Sequence, residues 1–282
     1  MAFSPGDAAM PVYLLIASIF NSIFFYRSIK DVRSKEIAVS GAPSIALLLT
    51  AISEFVWVLP CFIQCFLVFV LGHDGDWAPE REASGCDVQG FYSQLGSVSG
   101  MLSTLVLALL TLRIARSQRM PSTSQMLVIS GAVFALSLLV SVLPFMGAGN
   151  YSYSGEGFCY IDWYDNTSSA IMLTIVIPTF LAVISIDVAA LANGWWPRLL
   201  IVCMALAFVS AWCLWIPAAF IGLSGGTFPD GYMITGAVLG HAQALINPLL
   251  YGIWWRKTLL KKSARQAVTA GGKDFTPEQP AP

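Results

Sequence analysis

The chain has 282 residues, 56% of them apolar and only 11% charged, with a net charge of −1. A soluble domain carries about 25% charged residues and about 45–50% apolar ones. This composition therefore excludes a soluble fold that must cover its surface with polar groups, and no nucleic-acid partner is expected. A spanning helix takes about 20 apolar residues, so seven of them with short loops use nearly the whole length. No repeat at solenoid or blade period appears, nor any twin-arginine or C-terminal lipidation signal. Residues 1–10 lack the basic start of a cleavable signal peptide, so the first span is expected to insert uncleaved.

The predicted fold is an all-α membrane protein, a bundle of seven transmembrane helices. Span one covers residues 11–26. Span two covers 42–71 and is bent at Pro60, span three covers 88–114, and span four covers 125–146. Span five covers 168–192 around Pro178, span six 197–223 with Pro217 near its outer end, and span seven 232–255 with Pro248 near its inner end. Proline is tolerated in membrane helices because neighbouring groups satisfy the carbonyls it frees. The predicted organisation is an extracellular N-terminus over 1–10 and a seven-span domain over 11–255. A surface helix over 256–268 and a disordered cytosolic tail over 269–282 follow.

Orientation follows from the basic residues. Fourteen of the 15 Lys and Arg lie in the first, third and fifth connections and the tail, and only Arg81 is opposite. The positive-inside bias puts those segments in the cytosol, with the N-terminus outside and the C-terminus inside. This alternation requires an odd number of spans. The sequons at Asn150 and Asn166 both fall in the connection between spans four and five, on the predicted outer side, as candidate glycosylation sites. Asp74, Asp76, Glu80, Glu82, Asp87, Glu156, Asp162, Asp165 and Asp230 make that side acidic, a solvated face that would also favour cationic ligands.

Six cysteines divide by position. Cys61, Cys65, Cys203 and Cys213 sit inside apolar spans, where a buried, reduced thiol is expected. Cys86 and Cys159 lie outside, where an oxidising compartment favours pairing. Glu54 is the one acid deep in the bundle. Such a group costs about 2.5–3.5 kcal/mol on insertion scales, so it calls for a partner or a function. A polar centre of Glu54, Asn21 and Asn247 with water would hold a sodium ion or a proton; a protonated, hydrogen-bonded Glu54 is the plainer alternative. Asp187 is expected to reach the cytosolic interface.

Span seven ends Asn247-Pro248-Leu249-Leu250-Tyr251 and is followed by Trp254-Trp255-Arg256-Lys257, the start of an amphipathic stretch. Span six carries Leu214-Trp215-Ile216-Pro217, and the outer connection carries Cys159-Tyr160-Ile161-Asp162-Trp163. Asn21 in span one, Glu54 in span two and Pro178 in span five stand in matching order. With these marks the chain resembles the rhodopsin-like (class A) G-protein-coupled receptors over nearly its whole length, as a divergent member. The resemblance implies a plasma-membrane receptor with a Cys86–Cys159 disulfide, an extracellular ligand and a heterotrimeric G protein at the cytosolic face. It implies a ligand site between spans three, five, six and seven, with Tyr92, Ser93, Gln94, Ser97, Tyr160, Trp215, Tyr232 and His241 as candidates. It also implies an activation switch of Trp215, Pro217, Asn247, Pro248, Tyr251 and Arg113, in which a ligand pressing on Trp215 shifts the inner half of span six.

The departures are specific. Where the family has D-R-Y, this chain reads Leu110-Thr111-Leu112, with Arg113 the nearest arginine. Span four lacks its usual Trp, Glu54 stands for an Asp, and the connection between spans five and six is very short. The retinal-lysine position is His241, so no retinal is expected as a cofactor, and the amine-receptor Asp position is Ser93. A non-coupling decoy or scaffold receptor is the main alternative, with a small-solute transporter or channel behind it. Matched half-repeats are absent, and so is any nucleophile–base pair or metal-ligand motif of an intramembrane enzyme.

Overall fold

The computed structural model describes residues 5–33, 41–71, 83–116, 120–153, 159–193, 198–228 and 232–251. The predicted surface helix over 256–268, the tail over 269–282 and the last residues of span seven lie outside the described residues. The helices are α1 (Pro5–Arg33), α2 (Ala42–Leu71), α3 (Ala83–Ala115), α4 (Thr123–Val142), α5 (Asn166–Ala192), α6 (Arg198–Trp212), α7 (Trp215–Leu223) and α8 (Tyr232–Leu249). Six spans among them are long and apolar enough to cross a membrane, with α6 and α7 together making the sixth. That is the architecture of a multi-pass membrane protein. The helix α8 falls outside those six; it is 18 residues long and carries His241, Gln243 and Asn247.

Local chemistry sets several boundaries. Ser122 caps α4 in a reciprocal box: its hydroxyl accepts from the Gln125 N–H at 3.2 Å, and its own N–H donates to Gln125 Oε1 at 2.9 Å. Asp165 caps α5 by accepting from the Ser168 N–H at 2.7 Å. Four residues of 3₁₀ helix, Leu143–Met146, extend α4 and end at Gly147, whose φ of 82° lies in the left-handed region that glycine adopts without strain. The first helix is longer than expected. It runs on to Arg33 and so includes Lys30, an exposed residue near its end.

Two differences from the expected all-helical reading bear on function. The predicted sixth span is broken: α6 ends at Trp212 and α7 restarts at Trp215. Pro217 therefore sits in the first turn of α7, where a missing N–H costs nothing because that turn's donors have no intrahelical acceptor. The connection between α4 and α5 also contains an antiparallel hairpin, β1 (Tyr151–Tyr153) and β2 (Cys159–Ile161), with Ser152 opposite Tyr160. Two three-residue strands give too little periodicity to be read from sequence.

The centre of the bundle is α3, which packs against α2, α4, α5 and both strands. Large apolar side chains point outward, among them Val128, Leu139, Leu181, Val188 and Leu206. Small polar ones point inward. The hydroxyls of Ser137 and Ser141 donate to carbonyls one turn back, at 2.8 Å each, so burial leaves them satisfied. This inversion of the soluble pattern is what lipid as a solvent selects.

Candidate functional site

Two sites emerge, one above the other. The upper one surrounds Trp215. The β2 segment crosses the bundle mouth and lays its rings on this residue. Trp163 stacks on Trp215 with centroids 5.5 Å apart and planes at 22°, and Tyr160 lies 5.5 Å from the same ring. Tyr160 Oη is 2.7 Å from Ser97 Oγ on α3. Burial holds the Tyr160 phenol well above its usual pKa.

The segment is fixed at four further points. Cys86 and Cys159 form the disulfide implied by the resemblance. The Cys159 N–H donates to Gln89 Oε1 at 2.9 Å, and Ser169 Oγ donates to the Trp163 carbonyl at 2.8 Å. On α7, Gly222 approaches so closely that a Cβ there would fall on the Trp163 carbonyl oxygen. Gly222→Ala is expected to lower stability by about 1–3 kcal/mol, measured as the thermal midpoint of the detergent-purified chain. An unchanged midpoint would show that this approach is not tight.

The candidate ligand residues separate into two groups. Ser97, Tyr160 and Trp215 come together with Gln94 beneath the β2 segment. Tyr92, Ser93 and His241 find their contacts toward α1 and α2 instead. Tyr92 packs with Trp57, Cys61 and Cys65 toward α1 and α2, Ser93 Oγ lies 3.9 Å from Cys61 Sγ, and His241 lies 4.7 Å from Trp57, ring to ring. Tyr232 is also diverted: its hydroxyl donates to the Leu214 carbonyl at 2.6 Å, at the break between α6 and α7. Asn150 and Asn166 are both exposed beside the hairpin. Of the unpaired cysteines only Cys61 is fully buried, and Cys213 is exposed at the α6–α7 break, contrary to the expectation of burial.

The lower site is a polar knot where α1, α2 and α8 meet. Glu54 is 1% exposed, and its Oε1 accepts from Asn247 Nδ2 at 2.6 Å. Pro248 has no N–H, so the carbonyl four residues back, on Ala244, loses its helical donor. Asn21 Nδ2 supplies that donor at 2.6 Å, while also bonding the Ala17 carbonyl at 2.8 Å. Asn21 thus joins the centre through the backbone of α8 rather than through the side chains of Glu54 and Asn247. Immediately after Pro248 the backbone widens into a π-type turn at Leu250 and Tyr251. Tyr251 is buried and within electrostatic reach of Glu54 and Asp187.

Sequence reasoning missed two features here. Asp187, expected at the cytosolic interface, is enclosed in the bundle, 3% exposed in α5. Gln243 Nε2 on α8 donates to Thr104 Oγ1 on α3 at 3.2 Å. Only the polarity of these positions in an apolar span signalled them. Arg113, proposed as a stand-in for the missing motif arginine, lies exposed in the last turn of α3.

The fold as a whole has a counterpart among solved structures. The fold is similar to that of squid rhodopsin. The crystal structure of squid rhodopsin aligns with a TM-score of 0.61 at 15% identity, covering 100% of this chain and 95% of that one. No protein-family model matches the sequence, and neither does any curated protein.

Proposed function

We propose that the chain is a G-protein-coupled receptor in the plasma membrane, with α8 as its seventh span, its N-terminus outside and its C-terminus in the cytosol. It binds an extracellular ligand beneath the β2 segment and signals to a heterotrimeric G protein. The fold supports a receptor of this kind. The observation that carries the reading is the knot itself. Asn21, Glu54 and Asn247 hold α8 at the point where Pro248 interrupts it, and Tyr251 follows in a widened turn. We take such a point to be where α8 can bend into a second arrangement, which a ligand acting through Trp215 would favour.

A sodium ion or a proton at Glu54 belongs to this reading. Glu54 Oε2 and Asn21 Oδ1 are buried oxygens without a hydrogen-bond partner among the described residues, and a buried oxygen of this kind gains from a cation or a proton. Retinal forms no part of the reading. His241 occupies the lysine position, and Lys30 sits exposed near the end of α1. No catalytic role is assigned to any residue.

The test is nucleotide exchange on several G-protein classes, comparing wild type with Tyr251→Ala and Arg113→Ala at matched surface expression. Wild type is expected to raise exchange above mock-transfected membranes, and Tyr251→Ala to lower that signal about tenfold, the effect of a ~1.4 kcal/mol shift between two states. One observation favours a second reading. The chain allows only residues 193–197 between α5 and α6, little length for helices that would grip a G protein. Absence of exchange on every class would select the decoy or scaffold receptor.

A further inference from the structure

The apolar cluster beneath the β2 segment contains buried hydrogen-bonding groups that the chain itself does not serve. Gln94 is fully enclosed. Among the described residues its amide nitrogen donates only to a thioether, Met172 Sδ, at 2.9 Å, and its oxygen has no partner. A thioether is a weak acceptor, so both ends of this amide are poorly matched. Trp212 and Trp163 belong to the same cluster as Met172, and the indole N–H of each is buried without a partner among the described residues. The great majority of buried polar groups in folded proteins are hydrogen-bonded. One unserved acceptor and two unserved donors around one aromatic cluster are therefore a recognition pattern.

Charge is missing from that pattern. The buried acids of the described residues are Asp31, Glu54 and Asp187. Asp31 is near the inner end of α1, and Glu54 is bonded to Asn247. Asp187 is fifteen residues along α5 from Met172, about 22 Å away along the helix. Asp162 accepts from the Tyr164 N–H and Asp165 caps α5, so the two acids beside Trp163 are committed to local turns. An indole face attracts a cation, but by less than a buried ion loses on leaving water. The site selects against ions of either sign.

We infer that the aromatic cluster between α3, α5, α6 and α7 takes up an uncharged, flat, lipophilic molecule that presents one hydrogen-bond acceptor to Trp212 and one donor to Gln94. The inference names the ligand class for the receptor proposed above and rests on that reading. The outer acidity, which by itself would favour cationic ligands, stops at the surface, because the buried Tyr160, Ile161 and Trp163 lie over the cluster.

The experiment uses three probes sharing one ring: neutral indole-3-acetamide, cationic tryptamine and anionic indole-3-acetate. The full chain is purified in detergent, and its thermal midpoint is followed with each probe at millimolar concentration. Indole-3-acetamide is expected to raise the midpoint by about 2–4 °C, and the two ions to leave it unchanged. Gln94→Leu and Trp212→Phe should each fold, since both keep apolar volume and remove an unserved group. Each is expected to abolish the gain. A gain of equal size with either ion overturns the inference. So does a gain that survives both substitutions, which would be partition into the micelle, or no gain with indole-3-acetamide. No G protein is present in this assay. A selective gain from a chain that never drives nucleotide exchange removes only the signalling reading; exchange without the gain removes only the ligand class.

Discussion

Asn247→Ala is expected to destabilise the chain by about 2–4 kcal/mol, more than any other single polar truncation in the bundle. Glu54 has one hydrogen bond from a side chain, from Asn247 Nδ2 at 2.6 Å, and its second carboxyl oxygen has no partner among the described residues. Removing the donor leaves both oxygens buried and unserved. The cost is about 1–3 kcal/mol if the carboxyl is neutral and about 3–5 kcal/mol if it is charged. Pairing the truncation with Glu54→Leu removes the stranded group, so the double variant is expected to recover most of the loss. Thermal unfolding of the four proteins of this cycle reads the coupling directly. Equal losses in Asn247→Ala and the double variant would mean that Asn247 acts through α8 alone. Glu54→Gln adds a further arm: if it changes neither folding nor nucleotide exchange, the ion- or proton-binding role of Glu54 is wrong.

The same knot shows how much was legible in the chain. Length and composition were enough for a helical membrane bundle, because the lipid environment leaves few other solutions. The disulfide followed from residue order and the family resemblance, and so did the choice of Asn21, Glu54 and Asn247 as buried polar residues; the break in span six at Trp215 did not. The way these residues connect did not. Asn21 bonds a carbonyl of α8 rather than a side chain, and backbone atoms are the same at every position of a sequence. The fates of Tyr92, Ser93 and Gln94 were also hidden. These neighbours on α3 point to different partners, Cys61 for Ser93 and Met172 for Gln94, and a list of polar residues in one span does not resolve a helical turn. The hairpin was too short to read, yet it decides what covers Trp215.

That cover supplies the second large effect. Cys86→Ser is expected to cost about 2–4 kcal/mol of stability and to loosen the rings over Trp215. The bond joins positions 73 residues apart, and chain entropy alone would give about 4 kcal/mol for a loop of that length. The lower part of the range is the better expectation, since unfolded membrane helices remain inserted and the loop is never a free coil. The local consequence is the more informative one. Cys159 is the first residue of β2, and its neighbours Tyr160, Ile161 and Trp163 reach the bundle only if that strand stays across the mouth. Reduction of the wild-type chain should therefore reproduce the variant, with the same drop in midpoint and the same change in tryptophan fluorescence as the stack opens. Trp163→Ala should cost less in the Cys86→Ser background than alone, because the ring it removes is already partly released. Strict additivity would show that the hairpin keeps its place without the disulfide. The bonds from Gln89, Ser97 and Ser169 would then be what holds the cover, and the disulfide would restrain the outer connection alone.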